Sequence, residues 1–417
     1  MRLKDACVDA GQYGVNVSPE EYRSAGLRML RTSDLADGGL SPDDAGVFLD
    51  GPIPAAHLLK ENDLLLSRAG TIGRSYLVPA SGAGITFAGF LIRFRPRGGI
   101  DPRFLHYCLR SKPTQDQINA EAVTSTIQNF NAERYANLTI PDASEDEQRR
   151  IADFLDDRVA RIDRIITARQ VQVALLDAIA ARASYEAVTG ANVSGERRST
   201  DLAWLGDLPS EWPLLTVASQ FQVDLGKMLD EKRQTGEHVI PYLRNTNVQW
   251  DTIDTDDLKI MDIAPEERSR YTVKPGDLLI CEGGQPGRGA IWTGSLSPLG
   301  YQKALHRART RGRSRPAWLL ECLRTAVSLN VFAIENEQTT IGHLTNEQLR
   351  SLRFPFPDPE VQDRFLADVA RTRTQVAQAV RALRTSTVRL GEFKQSLITA
   401  AVTGEIDVST ASSGIPG

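Results

Sequence analysis

Two short glycine turns each end on an arginine: Gly70-Thr71-Ile72-Gly73-Arg74 and Gly284-Gln285-Pro286-Gly287-Arg288. Backbone amides at such turns, with Arg74, Arg288, Thr71 or Gln285 beside them, can meet a DNA phosphate. The same residues also make an ordinary structural turn, because glycine adopts backbone angles that other residues avoid. The nucleotide-binding pattern GxxxxGK[ST] is absent, and the flanks read strand-turn-strand rather than strand-turn-helix. A second pair of polar clusters is Arg31-Thr32-Ser33-Asp34 and Arg244-Asn245-Thr246-Asn247. These are either solvated loops or base readers working through Arg31, Ser33, Arg244, Asn245 and Asn247. A third pair carries Gln128 and Asn129 in one place and His343 in the other. Asn and Gln can bond adenine through two atoms at once. The neighbouring Asn131 and Thr345 read as helix caps. Arg68, Lys227 and Lys303 complete the candidate DNA contacts. Familiar catalytic signatures are missing: no Asn-Pro-Pro-aromatic loop, no Walker motif, no HExxH and no glycine-rich cofactor motif after a strand. The five histidines are scattered, which fits packed or surface residues better than ligands.

These clusters come in pairs because the chain repeats itself. Asp63-Leu64-Leu65-Leu66 returns as Asp277-Leu278-Leu279-Ile280, a shift of 214. The same shift carries Pro102, Leu105, Cys108, Leu109 and Arg110 onto Pro316, Leu319, Cys322, Leu323 and Arg324. It also carries Gln148 onto Gln362, and Ala187-Val188-Thr189-Gly190 onto Ala401-Val402-Thr403-Gly404. A period this long means duplicated domains and not a solenoid.

Each copy reads first as a strand-rich body, with Leu64–Leu66 and Phe90–Phe94 as strands and short helices starting near Pro102 and Pro316. The period then changes to alternating steps of three and four residues. Leu155, Val159, Ile162, Ile166, Val173 and Leu176 form one stripe, with Arg169 interrupting it. Phe365, Val369, Val376, Val380, Leu383 and Leu390 form the other, with Arg373 and Thr387 interrupting it. Such stripes mark two long helices, expected to pack on each other antiparallel with a body at either end. The spacing predicts an α+β protein with these parts: 1–144, a first body; 145–190, a long helix; 191–203, a linker; 204–358, a second body; 359–405, a second long helix; and 406–417, a flexible tail. On the second helix Arg371, Arg373, Arg381, Arg384, Arg389 and Lys394 read as a solvated face or as a cationic surface for DNA or an acidic partner.

The bulk properties are those of an ordinary soluble protein of 417 residues, with a net charge of -4. Attraction to nucleic acid must therefore come from local patches. Four widely spaced cysteines form neither a zinc site nor a disulfide frame. No apolar leader follows Met1 and no run approaches membrane-span length, so a cytoplasmic protein without membrane association is expected.

The order Trp204-Leu205-Gly206-Asp207-Leu208-Pro209, Gly276-Asp277-Leu278-Leu279-Ile280, Tyr301-Gln302-Lys303-Ala304-Leu305-His306 and Phe354-Pro355-Phe356-Pro357 before a glutamine-bearing long helix resembles the specificity subunits of type I restriction-modification systems. The likeness spans both halves. The first half lacks the Trp-Leu-Gly lead-in, and the Pro-Pro-Leu-x-Glu-Gln run before the helix is altered in both copies. The resemblance implies that each body is a target-recognition domain reading one half of a split double-stranded DNA site. The paired helices would act as a spacer. Two modification subunits carrying S-adenosylmethionine would dock on the chain, and restriction subunits would add ATP- and Mg-dependent cleavage. The chain itself would be no catalyst and would bind no cofactor or metal.

Overall fold

The computed structural model describes residues 1–37, 39–41, 46–123, 129–229, 236–334 and 343–409. Contacts divide the chain into two units, Met1–Gln170 with Leu383–Gly417, and Val171–Ala382. The first unit contains β1 (Gln12–Tyr13), β2 (Leu27–Leu30), β3 (Val47–Leu49), β4 (Leu64–Ser67), β5 (Ser75–Leu77), β6 (Thr86–Phe87) and β7 (Leu91–Phe94). Helices α1 (Pro102–Arg110), α2 (Lys112–Val123) and α3 (Ala132–Asn137) follow, and then α4 (Glu145–Thr189), whose residues up to Gln170 belong here. One sheet has the order β1-β7-β4-β5 and the other β3-β2-β6. In the first sheet every pairing is antiparallel; in the second, β2 runs antiparallel to β3 and parallel to β6. The run Leu64-Leu65-Leu66 is apolar throughout because both faces of β4 are covered. Side chains alternate across a strand, so Leu64 and Leu66 enter a cluster with Phe94, Phe104 and Tyr135, whereas Leu65 enters another with Tyr76, Phe87 and Leu91.

The second unit opens with β8 (Arg197–Ser199), β9 (Asp207–Pro209), β10 (Leu214–Thr216), α5 (Val217–Gln220), β11 (Phe221–Leu225) and β12 (Val239–Leu243). It continues through β13 (Val248–Gln249), β14 (Thr252–Ile253), β15 (Lys259–Asp262), α6 (Arg268–Tyr271), β16 (Leu278–Cys281), β17 (Gly289–Ile291), β18 (Gly300–Tyr301) and β19 (Leu305–Thr310). The last elements are α7 (Pro316–Ser328), α8 (Val331–Ile334), α9 (Asn346–Ser351), β20 (Arg353–Pro355) and α10 (Pro359–Thr403), whose residues from Leu383 on belong to the first unit. The sheet orders β11-β19-β16-β17 and β15-β12-β18 repeat those of the first unit strand for strand. The alternation repeats too: Leu278 and Ile280 face Trp318 and Phe354, while Leu279 and Cys281 face Trp292 and Tyr301.

Recurring residues of the sequence turn out to be recurring joints. Asp63 is buried and takes a two-pronged salt bridge from Arg95 at 2.6 and 2.7 Å. Asp277 takes the same bridge from Arg309 at 2.7 and 2.6 Å. Gln148, at the start of α4, accepts from Asp101 N at 2.9 Å and donates to Ala143 O at 2.8 Å. Gln362, at the start of α10, accepts from Arg315 N at 2.9 Å and donates to Pro357 O at 2.7 Å. A buried amide left unbonded is costly, so glutamine in these two places locks the start of α4 to the N-terminus of α1 and the start of α10 to that of α7.

The long helices each run 45 residues, about 67 Å at ~1.5 Å per residue. In the first unit Ile151, Leu155 and Val159 share a core with Ile398, Ala401 and Val402, and Asp163 meets Lys394 at 3.0 Å. The numbering rises on one helix as it falls on the other, so the segments run antiparallel. In the second unit Ser184 meets Arg373 at 2.7 Å. Of the expected stripe, Leu155, Val159, Ile162, Val369, Val376 and Val380 are buried. Ile166, Val173, Leu176, Leu383 and Leu390 are half-buried. Three expectations need correcting. Residues 191–203 are not a bare linker: β8 pairs with β9, and Arg197 bonds the carbonyls of Thr189, Gly190 and Asp207. Arg373 and Lys394 are not part of a solvated cationic face: Lys394 is buried, Arg373 is half-buried, and both are paired with carboxylates. Ile406 and Val408 lie against the first core, in the segment expected as a tail.

Candidate nucleic-acid interface

In the first unit β4 delivers Arg68 to the surface just before the glycine turn. Its Nε donates to Asn129 Oδ1 at 3.1 Å, and its Nη1 to the Gly89 carbonyl at 3.3 Å. The guanidinium carbon lies 4.8 Å from the Tyr13 ring centre and 5.8 Å from that of Phe90. Both rings are open to solvent, Tyr13 at 38% and Phe90 at 59%. Tyr13 is held in place by Ala132 N, which donates to its hydroxyl at 3.0 Å. A fixed cation between two accessible rings suits a nucleotide, which offers anionic oxygens, acceptor edges and π-faces together. The expected strand Phe90–Phe94 begins one residue later, at Leu91, and Phe90 points outward. Sequence reasoning did not single out Tyr13 and Phe90. Their signal was an aromatic residue next to a glycine, Tyr13-Gly14 and Gly89-Phe90.

The matching surface in the second unit is chemically different. Glu282 stands where Arg68 does; its backbone is fixed by Ala304 O at 3.0 Å and Leu344 N at 2.7 Å. Lys227 replaces Tyr13 and pairs with Glu267 beside the Tyr271 ring. Lys303 and His343 are exposed, and the His343 imidazole lies so close to Gly283 that a Cβ there would sit 3.1 Å from Nδ1. Beneath them His306 is fully buried with Nε2 2.7 Å from Leu344 O. Burial pushes its pKa down, so the imidazole is neutral near pH 7.

The glycine turns themselves are hairpin connections. Gly70 and Gly73, and Gly284 and Gly287, have φ between 71 and 86°, a region glycine enters without strain. Thr71 and Gln285 sit exposed at the turn tips. Arg74 donates to Leu35 O at 2.8 Å, and Arg288 donates to Asn245 Oδ1 at 3.0 Å. Each arginine therefore ties its turn to the polar cluster beyond β2 or β12. Those clusters are also largely engaged. Arg31 and Ser33 bond the buried Asp34 at 2.9 and 3.0 Å. Arg244 bonds Asp257 at 2.7 Å and holds its carboxyl below the usual range. Asn245 donates to Gly283 O at 2.8 Å. Asn247 is a correction: it is only 4% exposed and its amide caps its own turn, accepting from Arg244 N at 2.9 Å, so it faces no ligand. Gln128 lies outside the described residues. Asn131 and Thr345 cap α3 and α9 as expected. The structure thus brings Arg68 and Asn129 together in one unit. In the other it sets Asn245 and His343 on either side of Gly283.

Among the described residues no group of three His, Cys, Asp or Glu side chains is arranged to hold a metal. Among the same residues no helix is long and apolar enough to cross a membrane. The four cysteines are buried and unbridged, and burial pushes the Cys7 thiol up to about 12.

Residues 55–174 match the family model described as "Type I restriction modification DNA specificity domain". No curated protein sequence matches the chain. Two solved structures have its fold over nearly its whole length. One, from a study of complex assembly and conformational transition in the type I R-M system, is 18% identical, with 97% of each chain covered and a TM-score of 0.72. The other, the HsdS subunit of Thermoanaerobacter tengcongensis, is 19% identical, with 97% of this chain and 96% of that one covered and a TM-score of 0.53. Residues 55–174 are thus similar to the type I restriction modification DNA specificity domain, and the chain shares its fold with these two solved structures.

Proposed function

We propose that this chain reads a bipartite, asymmetric site on double-stranded DNA and scaffolds the other subunits of a cytoplasmic type I restriction-modification complex. One observation carries the reading: two units share a strand order but present different chemistry at the same place. Tyr13, Arg68, Phe90 and Asn129 stand on one, and Lys227, Glu282, Lys303 and His343 on the other. Equivalent scaffolds with unlike faces read unlike half-sites. Arginine favours guanine, and a carboxylate accepts from the cytosine amine. The long helices, packed as an antiparallel coiled coil, serve as the spacer, since half-site separation follows from protein geometry in DNA readers generally. Two modification subunits would bring S-adenosylmethionine to the target adenines, and restriction subunits would bring ATP and Mg. Thr71, Gln285 and Lys303 are proposed phosphate contacts, because they are exposed beside the readers.

Mapping methylated bases in cells that express the chain with its modification partner tests the proposal. A split motif with unlike halves and a fixed gap is the expected result. A short continuous palindrome overturns it.

A further inference from the structure

In each unit one aspartate ties the recognition body to the long helices. In the first unit Asp37 follows the Arg31–Asp34 cluster. It is bonded by Arg110 of α1 at 3.3 Å and by Lys394 of α10 at 2.9 Å. Lys394 also pairs with Asp163 of α4 at 3.0 Å. In the second unit Asp251 follows the Arg244–Asn247 cluster. It is bonded by Arg324 of α7 at 2.5 Å and lies 3.7 Å from Arg373 of α10. Arg373 in turn bonds Ser184 of α4 at 2.7 Å and Glu321 at 2.9 Å. Asp37 and Asp251, like Arg110 and Arg324, are separated by the repeat shift of 214. The helix cations are not: Lys394 and Arg373 lie on the same helix, at positions the repeat does not relate. Two different solutions on α10 therefore serve one aspartate position.

The backbone at Asp251 strengthens the case. This residue turns the β13–β14 hairpin with φ at 63°. Glycine or asparagine suits that conformation better than most side chains. A carboxylate stands there nonetheless, and its oxygens reach the two arginines. Around Asp37 the guanidinium of Arg110 and the ammonium of Lys394 outweigh desolvation and hold the carboxyl below its ordinary range. The aspartates sit a few residues from the polar clusters that receive Arg74 and Arg288 of the glycine turns. In each unit the turn is bonded to the cluster, and the aspartate a few residues further along the chain is paired with the long helix.

We propose that Asp37 and Asp251 are positioning residues that set the angle of each recognition body on its helices, and so fix how strictly the gap between half-sites is measured. This rests on the bipartite reading above. The test uses the full chain co-expressed with its modification subunits, and a library of sites with native half-sites and gaps one base pair shorter, native and one longer. The variants are Asp251→Gly, which suits the turn and removes the side chain with its carboxylate, and Lys394→Met, which keeps an apolar stem and frees Asp37 from α10 while Arg110 of α1 still bonds it. The expected result is that discrimination against the wrong gaps falls about tenfold, equivalent to ~1.4 kcal/mol. The preferred half-sites and the melting temperature should stay as in the unaltered chain. Asp37→Glu, which keeps the charge, should restore stringency relative to Asp37→Ala. Unchanged discrimination in both primary variants overturns the proposal. So does loss of methylation at every gap by a chain that melts normally, because the aspartates would then be contacts and not clamps. If the unaltered chain shows no gap preference at all, the bipartite reading fails first, and the two failures are distinguishable.

Discussion

Truncating Arg68 to alanine removes the most completely described candidate contact in the first unit. The side chain makes two hydrogen bonds, to Asn129 and Gly89, and lies against two exposed rings. Each net hydrogen bond is worth ~1 kcal/mol and an exposed cation–π contact about 0.5–1 kcal/mol. The fold should survive, because domains of this kind hold roughly 5–15 kcal/mol. A lost arginine contact to a base edge costs about 1–3 kcal/mol, which is roughly 5- to 150-fold in affinity. The assay is binding of the assembled complex to duplexes in which each half-site is scrambled separately, across a salt series. If Arg68 reads a base, Arg68→Ala relaxes discrimination in one half-site only and leaves the salt slope alone. If it holds a phosphate, affinity falls for all sequences and the slope drops by about one. Arg68→Lys should rescue only the second case, since lysine keeps the charge and loses the fork. Binding within twofold of the unaltered chain, with unchanged discrimination, would refute the assignment of Arg68 to the interface.

Three other outcomes follow from the same structure. Asp63→Ala leaves the Arg95 guanidinium without its two-pronged partner at the edge of the core; a loss of about 2–4 kcal/mol is expected, read as a lower denaturant midpoint for the first unit, and a loss under ~0.5 kcal/mol would contradict the joint described above. His106 is buried, and desolvation, aided by Arg110, lowers its pKa to about 3; the unfolded chain therefore binds its proton first, and stability present above pH ~6.5 is lost as pH falls toward 3, by roughly 2 kcal/mol at pH 5. Thermal melts from pH 7 to pH 5 should be flatter in His106→Gln than in the unaltered chain. Finally, deleting seven residues from each long helix shortens it by about 10 Å at ~1.5 Å per residue, so the tolerated gap should shrink by about three base pairs with the half-sites unchanged, as methylome mapping would record.

The sequence alone determined the architecture because the repeat is written in residues that cannot change cheaply. Asp63 and Asp277 are buried carboxylates with arginine partners. Gln148 and Gln362 are buried amides joining helices. Gly73 and Gly287 hold left-handed angles. Each is demanded by local geometry, so each returns at the same offset. The long helices were legible as a change of period, and α4 and α10 were placed to within two residues. What only the tertiary structure decided is which polar groups remain available. Arg31, Arg74, Arg244, Asn247 and Arg288 looked like ligand contacts. Arg31, Arg74, Arg244 and Arg288 each place at least one donor inside the protein, on Asp34, Leu35, Asp257 and Asn245, and Asn247 accepts from Arg244 N. Tyr13 and Phe90 looked unremarkable and stand exposed around Arg68. A hydrogen bond between residues far apart in the chain leaves no trace in spacing. Composition and period report whether a side chain is polar or apolar, whereas function turns on whether its partner is already inside the protein.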